Sequence, residues 1–223
     1  MHSVVQVAGV RSVAEARMLM GLGVDQVGIP LRLAYHQPDV TEAQAVPIAE
    51  ALGRHRAVLI TYATDPCELI ELCQRLPVGW VQLHGDVTPQ SIAAVRRAVA
   101  VRVIKSYIVG FTVEGISAFV ERFSPVCDAF LTDTFDARTG AMGATGRTHD
   151  WQVSRALVEA SPLPVILAGG LSPVNVAAAI AMVRPAGVDA HTALEDDEGD
   201  KDPCLVQAFV RHAKAAFARL EEA

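Results

Sequence analysis

Eight short runs of apolar, mostly β-branched residues alternate with segments of helical character along the 223-residue chain. The runs show little apolar–polar alternation, which is typical of parallel strands buried on both faces. We predict strands at Ser3–Ala8, Gln26–Ile29, Arg56–Thr61, Trp80–His84, Arg102–Ser106, Ala129–Thr132, Val165–Ala168 and Gly187–Ala190. No Ser-rich or Pro-rich linker interrupts the series. The order predicts one α/β domain over residues 1–223, a compact (β/α)8 barrel; a doubly wound sheet is the alternative, because order alone does not show closure.

Helix start signals fall between these runs. Two capping-box spacings and two N-cap–proline pairs occur, at Ser12/Glu15, Thr41/Gln44, Thr88-Pro89 and Ser172-Pro173. Each signal predicts the first turn of a helix at that place.

The composition limits the classes of function. A hydrophobic fraction of 51% allows a sizeable core, and a net charge of -6 argues against nucleic acid and anionic membranes as partners. No run of 18 apolar residues occurs, and the N-terminal stretch lacks the charge and length of a signal peptide. We therefore expect a cytoplasmic protein with a small phosphorylated or anionic ligand. The cysteine and histidine spacings give no support for a metal site, and no motif implies a cofactor.

Polar residues at the strand ends are the candidates for chemistry, since barrel enzymes build their sites where strands end. Gln82 and His84 share one side of the fourth strand, and a structural role is the alternative for His84. Lys105 interrupts the apolar fifth strand and is expected to reach a polar site or an ion pair, because lysine is rarely buried alone. Asp133 follows the sixth strand and is a general-acid candidate, with loop bracing as the alternative. Asp189, on the eighth strand, is also predicted to lie at this end of the barrel.

Two long loops follow strands 2 and 6. The loop "GIPLRLAYHQPD" carries Arg32, Tyr35 and His36, and a substrate lid and a solvated loop are equally consistent with it. The Gly-rich stretch after Asp133 is predicted to be functional, because long glycine-rich loops after barrel strands usually are.

Gly169-Gly170 separates the seventh strand from the next helical segment. Glycine takes positive φ at little cost, so a tight turn is one interpretation. An anion cup of free backbone N–H groups is the other. Phosphate sites in such barrels are commonly built from the loops after strands 7 and 8 and a short extra helix. We predict that helix at His191–Leu194, so that Thr192 and Ala193 complete a phosphate site with the two glycines.

Seven motifs resemble the phosphoribosylanthranilate isomerase family in order and spacing over nearly the whole length. They are "VQLHGD", "VIK", "LTDT", "GATGRTHDW", "LAGGLSPVNV", "VRPAGVDA" and "GDKD". The resemblance implies an Amadori rearrangement in tryptophan biosynthesis, in which an aminoaldose phosphate becomes an aminoketose phosphate. It assigns the general acid to Asp133. It assigns the base to a cysteine in a Lys-Ile-Cys-Gly motif, which here reads Gln6-Val7-Ala8-Gly9, so the base position is Ala8.

Three departures from the family pattern bear on activity. A methyl group at Ala8 cannot take a proton, so we expect the isomerase activity to be impaired or altered. The family arginine before helix 2 is absent, and Arg32 is the candidate substitute. The Ser-Ser-Gly phosphate motif reads His191-Thr192-Ala193, which brings an imidazole that could replace the missing base, as could His84. The acidic run that follows, residues 195–198, is expected to be exposed.

The sequence is also consistent with two other functions. The same barrel could run another reaction on a phosphorylated or anionic ligand, or it could be a catalytically silent barrel that binds a ligand or a partner protein. The resemblance implies a monomer or a homodimer, because both occur in the family.

Overall fold

The computed structural model describes residues 3–33, 39–136, 141–142 and 148–222. In this part of the chain the strands are β1 (Val4–Ala8), β2 (Gln26–Leu31), β3 (Ala57–Thr61), β4 (Trp80–Leu83), β5 (Arg102–Val109), β6 (Ala129–Asp136), β7 (Ala141–Met142), β8 (Val165–Leu167) and β9 (Gly187–Ala190). The helices are α1 (Val13–Gly21), α2 (Glu42–Leu52), α3 (Pro66–Arg75), α4 (Pro89–Ala98), α5 (Ile116–Phe123), α6 (Trp151–Ala160), α7 (Val176–Val183) and α8 (Pro203–Glu221), with a 3-10 helix at Thr192–Leu194.

The strands close into a barrel. Strands β1–β6, β8 and β9 are parallel, and β5 pairs with β6 to complete the ring, with Lys105 opposite Phe130. The predicted (β/α)8 barrel is thus confirmed, and the open doubly wound sheet is excluded. Strand β7 is a short antiparallel partner of the end of β6. Strands β8 and β9 are therefore the seventh and eighth strands of the predicted series.

Strand positions agree with the prediction to within one residue except at three carboxyl ends. Strand β2 runs on to Leu31, two residues beyond the predicted end at Ile29. Strand β5 runs on to Val109 and β6 to Asp136, beyond the apolar runs that predicted them. Pairing between the two strands continues to Val109 opposite Thr134, and β7 then pairs with the end of β6. Backbone hydrogen bonds to the adjacent strand extend β5 and β6 into residues whose side chains are no longer apolar enough to predict a strand.

Two apolar layers hold the barrel. The interior layer consists of small and branched side chains, namely Ala8, Val58, Ile60, Ile104, Ala129, Leu131, Ile166 and Ala168. A larger layer lies between the strands and the surrounding helices and includes Phe119, Phe130 and Phe209. Because side chains alternate between the two faces of a strand, each strand sends every second residue inward. Polar residues on the inward positions near the carboxyl ends therefore meet above the interior layer.

Two of the four helix start signals are confirmed as predicted. The hydroxyl of Thr41 accepts from the N–H of Gln44, and the Gln44 side chain accepts from the N–H of Thr41, which is the complete capping box. Thr88 caps α4 by accepting from the N–H of Ser91.

The other two signals need correction. Ser12 caps α1, but the Glu15 carboxylate accepts from Arg11 N and Lys201 N, both at 2.6 Å, instead of returning to the cap. Glu15 thereby ties the start of α1 to the segment before α8. Helix α7 begins at Val176 rather than at the Ser172-Pro173 pair, because residues 173–175 form a turn before the helix.

Candidate active site

A cavity opens at the carboxyl ends of the barrel strands. It is walled by the ends of every parallel strand except β5 and by the loops that follow them. Asp133 and Gly169 therefore lie at the same end of the barrel, as predicted. The structure brings together here most of the residues singled out on the sequence, namely Ala8, Gln82, His84, Asp133, Gly169, Gly170, Asp189, His191, Thr192 and Ala193.

Two buried carboxyl groups lie in this cavity. Asp133, near the end of β6, accepts a hydrogen bond at 2.8 Å from the N–H of Thr134. Asp189 on β9 lies in register with Gln6, and its Oδ1 has no hydrogen-bond partner among the described residues. Burial raises the pKa of Asp189 to about 8, and the effect is larger while Asp133 is ionised. Asp189 is therefore largely a neutral carboxylic acid near neutral pH, able to donate a hydrogen bond.

A hydrogen-bonded row crosses the cavity floor. Gln6 Nε2 donates to Gln82 Oε1 at 2.8 Å, and Gln82 Nε2 lies 2.8 Å from His84 Nε2. The ring of Tyr62 stacks on His84 with centroids 5.2 Å apart. These contacts favour the structural interpretation of His84, because one nitrogen and one ring face are already occupied. Gln6 belongs to this site although its sequence motif did not assign it a role; its alternation with Ala8 is the signal that puts it inside.

His191 lies at the tip of β1, beside the position that lacks a base. Ala190 pairs with Val7, so the next residues along the two strands, His191 and Ala8, are neighbours. The imidazole covers Gly9 so closely that a Cβ there would lie 2.0 Å from Nε2. Gly9 also has φ +82°, which favours glycine. An imidazole thus occupies the space next to a methyl group that has no acid–base chemistry of its own.

An acidic residue and a lysine hold this imidazole from outside. Glu195 Oε1 lies 3.0 Å from His191 Nε2 and 2.6 Å from Lys201 Nζ. Burial alone would raise the pKa of Glu195, but the hydrogen bonds from His191 and Lys201 outweigh it and hold the pKa at about 2. The expectation that residues 195–198 are exposed is therefore wrong for Glu195, because the 3-10 helix turns it back toward β9.

The two glycines adopt backbone conformations that favour glycine. Gly169 has φ +92° and Gly170 has φ +63°, and both line the cavity. Asn175 holds the turn that follows: its Nδ2 donates to Gly170 O at 2.9 Å and its Oδ1 accepts from Ser172 N at 2.8 Å. The predicted short helix after the eighth strand is confirmed at Thr192–Leu194. The tight turn is therefore present; the phosphate site stays a prediction.

A network of hydroxyl groups and one imidazole lies behind Gly169. Thr134 Oγ1 is 3.0 Å from His149 Nδ1, and His149 Nε2 is 2.6 Å from Ser154 Oγ, which donates to Thr132 Oγ1 at 3.1 Å. Burial lowers the pKa of His149 to about 4, so this imidazole is neutral near neutral pH. The sequence prediction missed the network, because residues 132, 134, 149 and 154 show no local spacing that would link them.

Lys105 is not among the residues that line this cavity. Its neighbour Ile104 points into the barrel, so Lys105 points outward, with Nζ 5.6 Å from the centre of the Phe123 ring. The ammonium donates to Ser106 O at 3.0 Å and Leu83 O at 3.4 Å and faces a second cavity beside α5. Burial lowers the pKa of Lys105 to about 8. The prediction that Lys105 lies with Asp133 and Asp189 at the open end of the barrel is wrong, because strand alternation places its side chain on the outer face of the barrel.

Arg32 is likewise turned away from the cavity. Its guanidinium bonds Glu42 at 2.8 Å and Glu68 at 2.9 Å, which joins the loop after β2 to α2 and α3. The hydrogen bond that Arg32 donates to Glu42 is the main reason that the pKa of Arg32 is raised. Two groups of predicted residues lie outside the described part of the chain. They are Tyr35 and His36, and residues 137–140 and 143–147 of the Gly-rich stretch after Asp133.

The described ranges hold no group of three or more His, Cys, Asp or Glu side chains able to bind a metal ion. Within the same ranges, no helix has both the length and the apolar character needed to cross a membrane.

Comparison with known proteins agrees with the geometry. The family model for N-(5′-phosphoribosyl)anthranilate isomerase matches residues 9–212. The N-(5′-phosphoribosyl)anthranilate isomerase 2 of Methanosarcina mazei is 36% identical over 221 residues, covering 97% of this chain and 96% of that protein. The isomerase structure from Pyrococcus furiosus superimposes with a TM-score of 0.77 at 26% identity, covering 96% of this chain and 100% of that one.

A further isomerase structure, a complex with reduced 1-(o-carboxyphenylamino)-1-deoxyribulose 5-phosphate, has a TM-score of 0.77. It is 23% identical and covers 96% of this chain and 99% of that one, and it supports the shared fold alone. The extent of the family match and the level of identity to the archaeal relative go beyond a shared barrel. The chain belongs to the N-(5′-phosphoribosyl)anthranilate isomerase family.

Proposed function

We propose that this protein catalyses the isomerisation of N-(5′-phosphoribosyl)anthranilate in tryptophan biosynthesis, with Asp133 as the acid and His191 as the base. The observation that carries the proposal is the imidazole of His191 lying over Gly9, next to Ala8. The cysteine of the family motif belongs at Ala8, and His191 is a cavity-lining acid–base group that reaches this strand tip.

The acid step uses the carboxyl group at the end of β6. Asp133 is buried, and the N–H of Thr134 holds one of its oxygens. In the proposed step its proton passes to the furanose ring oxygen, the C1′–O bond breaks, and the anilino nitrogen lone pair forms the iminium. The neutral Asp189 carboxyl group is suited to donate a hydrogen bond to a substrate hydroxyl.

The base step uses the imidazole. His191 takes the proton from C2′, whose electrons form the C1′–C2′ double bond and neutralise the iminium. The resulting enolamine tautomerises to the ketone. One proton is given and one is taken, so the reaction is an isomerisation with no net proton change. No cofactor is needed for this sequence of steps.

The phosphate group of the substrate is assigned to the backbone of Gly169, Gly170, Thr192 and Ala193. All four residues line one side of the cavity, and bare backbone N–H groups bind phosphate without a net positive charge. The isomerase complex with a ribulose 5-phosphate derivative supports a phosphorylated ligand for this fold. A cytoplasmic location and a monomeric or dimeric state remain predictions from the sequence.

One observation favours a second candidate, a related reaction on a different phosphorylated ligand. Arg32, the candidate partner of the anthranilate carboxylate, is engaged by Glu42 and Glu68. A ligand without that carboxylate would need no such arginine. The acid, the imidazole and the phosphate backbone would serve it equally well.

Complementation of a tryptophan auxotroph that lacks the isomerase tests the proposal, together with a turnover assay on the purified protein. We expect complementation by the native chain, and loss of turnover of about 100- to 10,000-fold in both Asp133→Asn and His191→Ala. His55→Ala is the matched control, because His55 is exposed and precedes β3 at the opposite end of the barrel. Binding of a phosphorylated analogue without turnover of phosphoribosylanthranilate would favour the second candidate instead.

A further inference from the structure

A carboxylate and an ammonium group meet behind the His191 ring. The carboxylate is Glu195, four residues after His191 across the 3-10 helix, with Oε1 3.0 Å from Nε2. The ammonium is Lys201, which contacts the same oxygen at 2.6 Å and the carbonyl oxygen of His191 at 3.4 Å. The proposed acid and base steps assign no role to either of these two side chains.

The backbone fixes both of these residues. Glu195 and Lys201 face each other across an antiparallel bridge, and Asp202 N donates to Leu194 O at 2.9 Å. Glu15, from the start of α1, accepts from the N–H of Lys201 at 2.6 Å. These backbone contacts therefore hold the carboxylate of Glu195 in one place relative to β9.

The contact has a consequence for the imidazole. A neutral imidazole carries one N–H, and the nitrogen that faces a carboxylate is the one that keeps it. Among the described residues no hydrogen bond to His191 Nδ1 is found, whereas Nε2 faces two carboxylates, Glu195 Oε1 at 3.0 Å and Asp39 Oδ2 at 4.0 Å. The nitrogen left with a free lone pair is then Nδ1.

We infer that Glu195 is the positioning residue of the base: it holds His191 as the Nε2–H tautomer, leaves Nδ1 to accept the substrate proton, and stabilises the imidazolium that forms. The inference rests on the proposed function, in which His191 is the base. Lys201 keeps Glu195 ionised and in place. The arrangement follows the logic of an orienting carboxylate behind a catalytic histidine.

Kinetics test the inference with two substitutions and a control in the same loop. Glu195→Gln removes the charge and Glu195→Ala also removes the hydrogen bond, so we expect kcat to fall about 10-fold and about 100-fold, with KM within about 3-fold of the native value. The kinetic isotope effect with substrate deuterated at C2′ should rise in both variants, because proton removal becomes slower. Glu198→Gln, an exposed acid nearby, should change neither quantity.

A double-mutant cycle separates this inference from the proposed function. In a His191→Ala background, Glu195→Gln should have no further effect on kcat, because the two residues act as one unit. If His191→Ala abolishes turnover while Glu195→Gln leaves kcat and the isotope effect unchanged, the positioning role is overturned and the base assignment stands. If His191→Ala keeps full turnover, the base assignment fails, and this inference with it.

Nitrogen-15 NMR of histidine gives a readout that needs no turnover. We expect the native His191 to show Nε2 protonated and Nδ1 unprotonated, and Glu195→Ala to shift the ring toward a mixture of tautomers. The thermal unfolding transition of Glu195→Ala shows whether this variant is folded. A native His191 that is protonated on Nδ1 would overturn the inference whatever the kinetics show.

Discussion

The imidazole of His191 lies against the α-carbon of Gly9, and a Cβ added to Gly9 would approach Nε2 to 2.0 Å. The glycine of the first strand tip therefore leaves room for a group supplied by the eighth barrel strand. This relationship connects the loss of a base on β1 with the presence of an imidazole on the neighbouring strand.

Gly9→Ala should displace His191 and cost turnover. Two effects act together: the new methyl group collides with the ring, and φ +82° strains any residue with a Cβ. Gly23→Ala is the matched control, because Gly23 has φ +86° but its Cβ would meet the flexible end of Lys214 at 3.3 Å and Val210 Cγ1 at 3.8 Å, an ordinary contact distance. We expect Gly23→Ala to lose about 1 kcal/mol of stability and Gly9→Ala more than that, and only Gly9→Ala to lose 10-fold or more in kcat. Equal kcat in the two variants would show that His191 does not act in turnover.

Ala8→Cys should raise isomerase activity. The residue lines the cavity and stands where the family cysteine belongs, so a thiolate would add the missing proton acceptor. We expect a gain of about 10-fold or more in kcat, measured as product formation on the purified protein. Ala8→Ser is the control, since its hydroxyl has nearly the same size and is a much weaker base. No gain, together with unchanged binding of a substrate analogue, would mean that His191 already serves fully.

His149 should contribute less to the free energy of unfolding on mild acidification. Its folded pKa is about 4 and its ordinary value is 6.5, so the unfolded chain binds more protons between these values. Its contribution is complete above about pH 6.5 and is lost as the pH falls toward 4, by about 3 kcal/mol in total. Asp189 acts in the opposite direction over this range, so the loss is measured as a difference. The unfolding free energy of the native chain minus that of His149→Gln, from urea unfolding, should fall by this amount between about pH 6.5 and about pH 4. His55→Gln, which changes an exposed histidine, should keep the native pH dependence.

Asp189→Asn should stabilise the protein at alkaline pH. The folded pKa of about 8 exceeds the ordinary value of 3.8, so the folded state binds more protons between these values and stability falls as the pH rises through them. An amide is neutral like the protonated acid and avoids this loss. We expect the Tm difference from the native chain to grow between about pH 4 and about pH 8 and to level off above that. Asp197→Asn, on the exposed run, should give a constant difference; the same constancy in Asp189→Asn would contradict the buried neutral acid.

Arg32→Met should lower stability without weakening substrate binding. The guanidinium joins Glu42 and Glu68 at the surface, and such pairs contribute about 1 kcal/mol or less each. KM for phosphoribosylanthranilate should therefore stay within about 2-fold, as in the control Arg75→Met, which removes another partner of Glu42. A 10-fold rise in KM at unchanged stability would indicate that Arg32 leaves these acids to bind the substrate.

The sequence by itself determined the order of strands, the end of the barrel that carries the site and most of the cavity lining. Apolar runs buried on both faces indicate parallel strands whatever their neighbours are, and the residues that follow them share one end once the strands are parallel. Asp133, Gly169 and Asp189 could be predicted for that reason. The capping residue Thr41 could be predicted because its two hydrogen bonds join residues three apart.

The tertiary structure decided what depends on distant residues and on strand facing. Closure required the pairing of β5 with β6, and the outward turn of Lys105 followed from the register of β5, which one apolar run does not fix. The contacts of His191 with Gly9 and of Arg32 with Glu68 join parts of the chain far apart in sequence. A side chain's chemistry is set locally, but its partners are set by packing, and packing is decided only when the whole barrel closes.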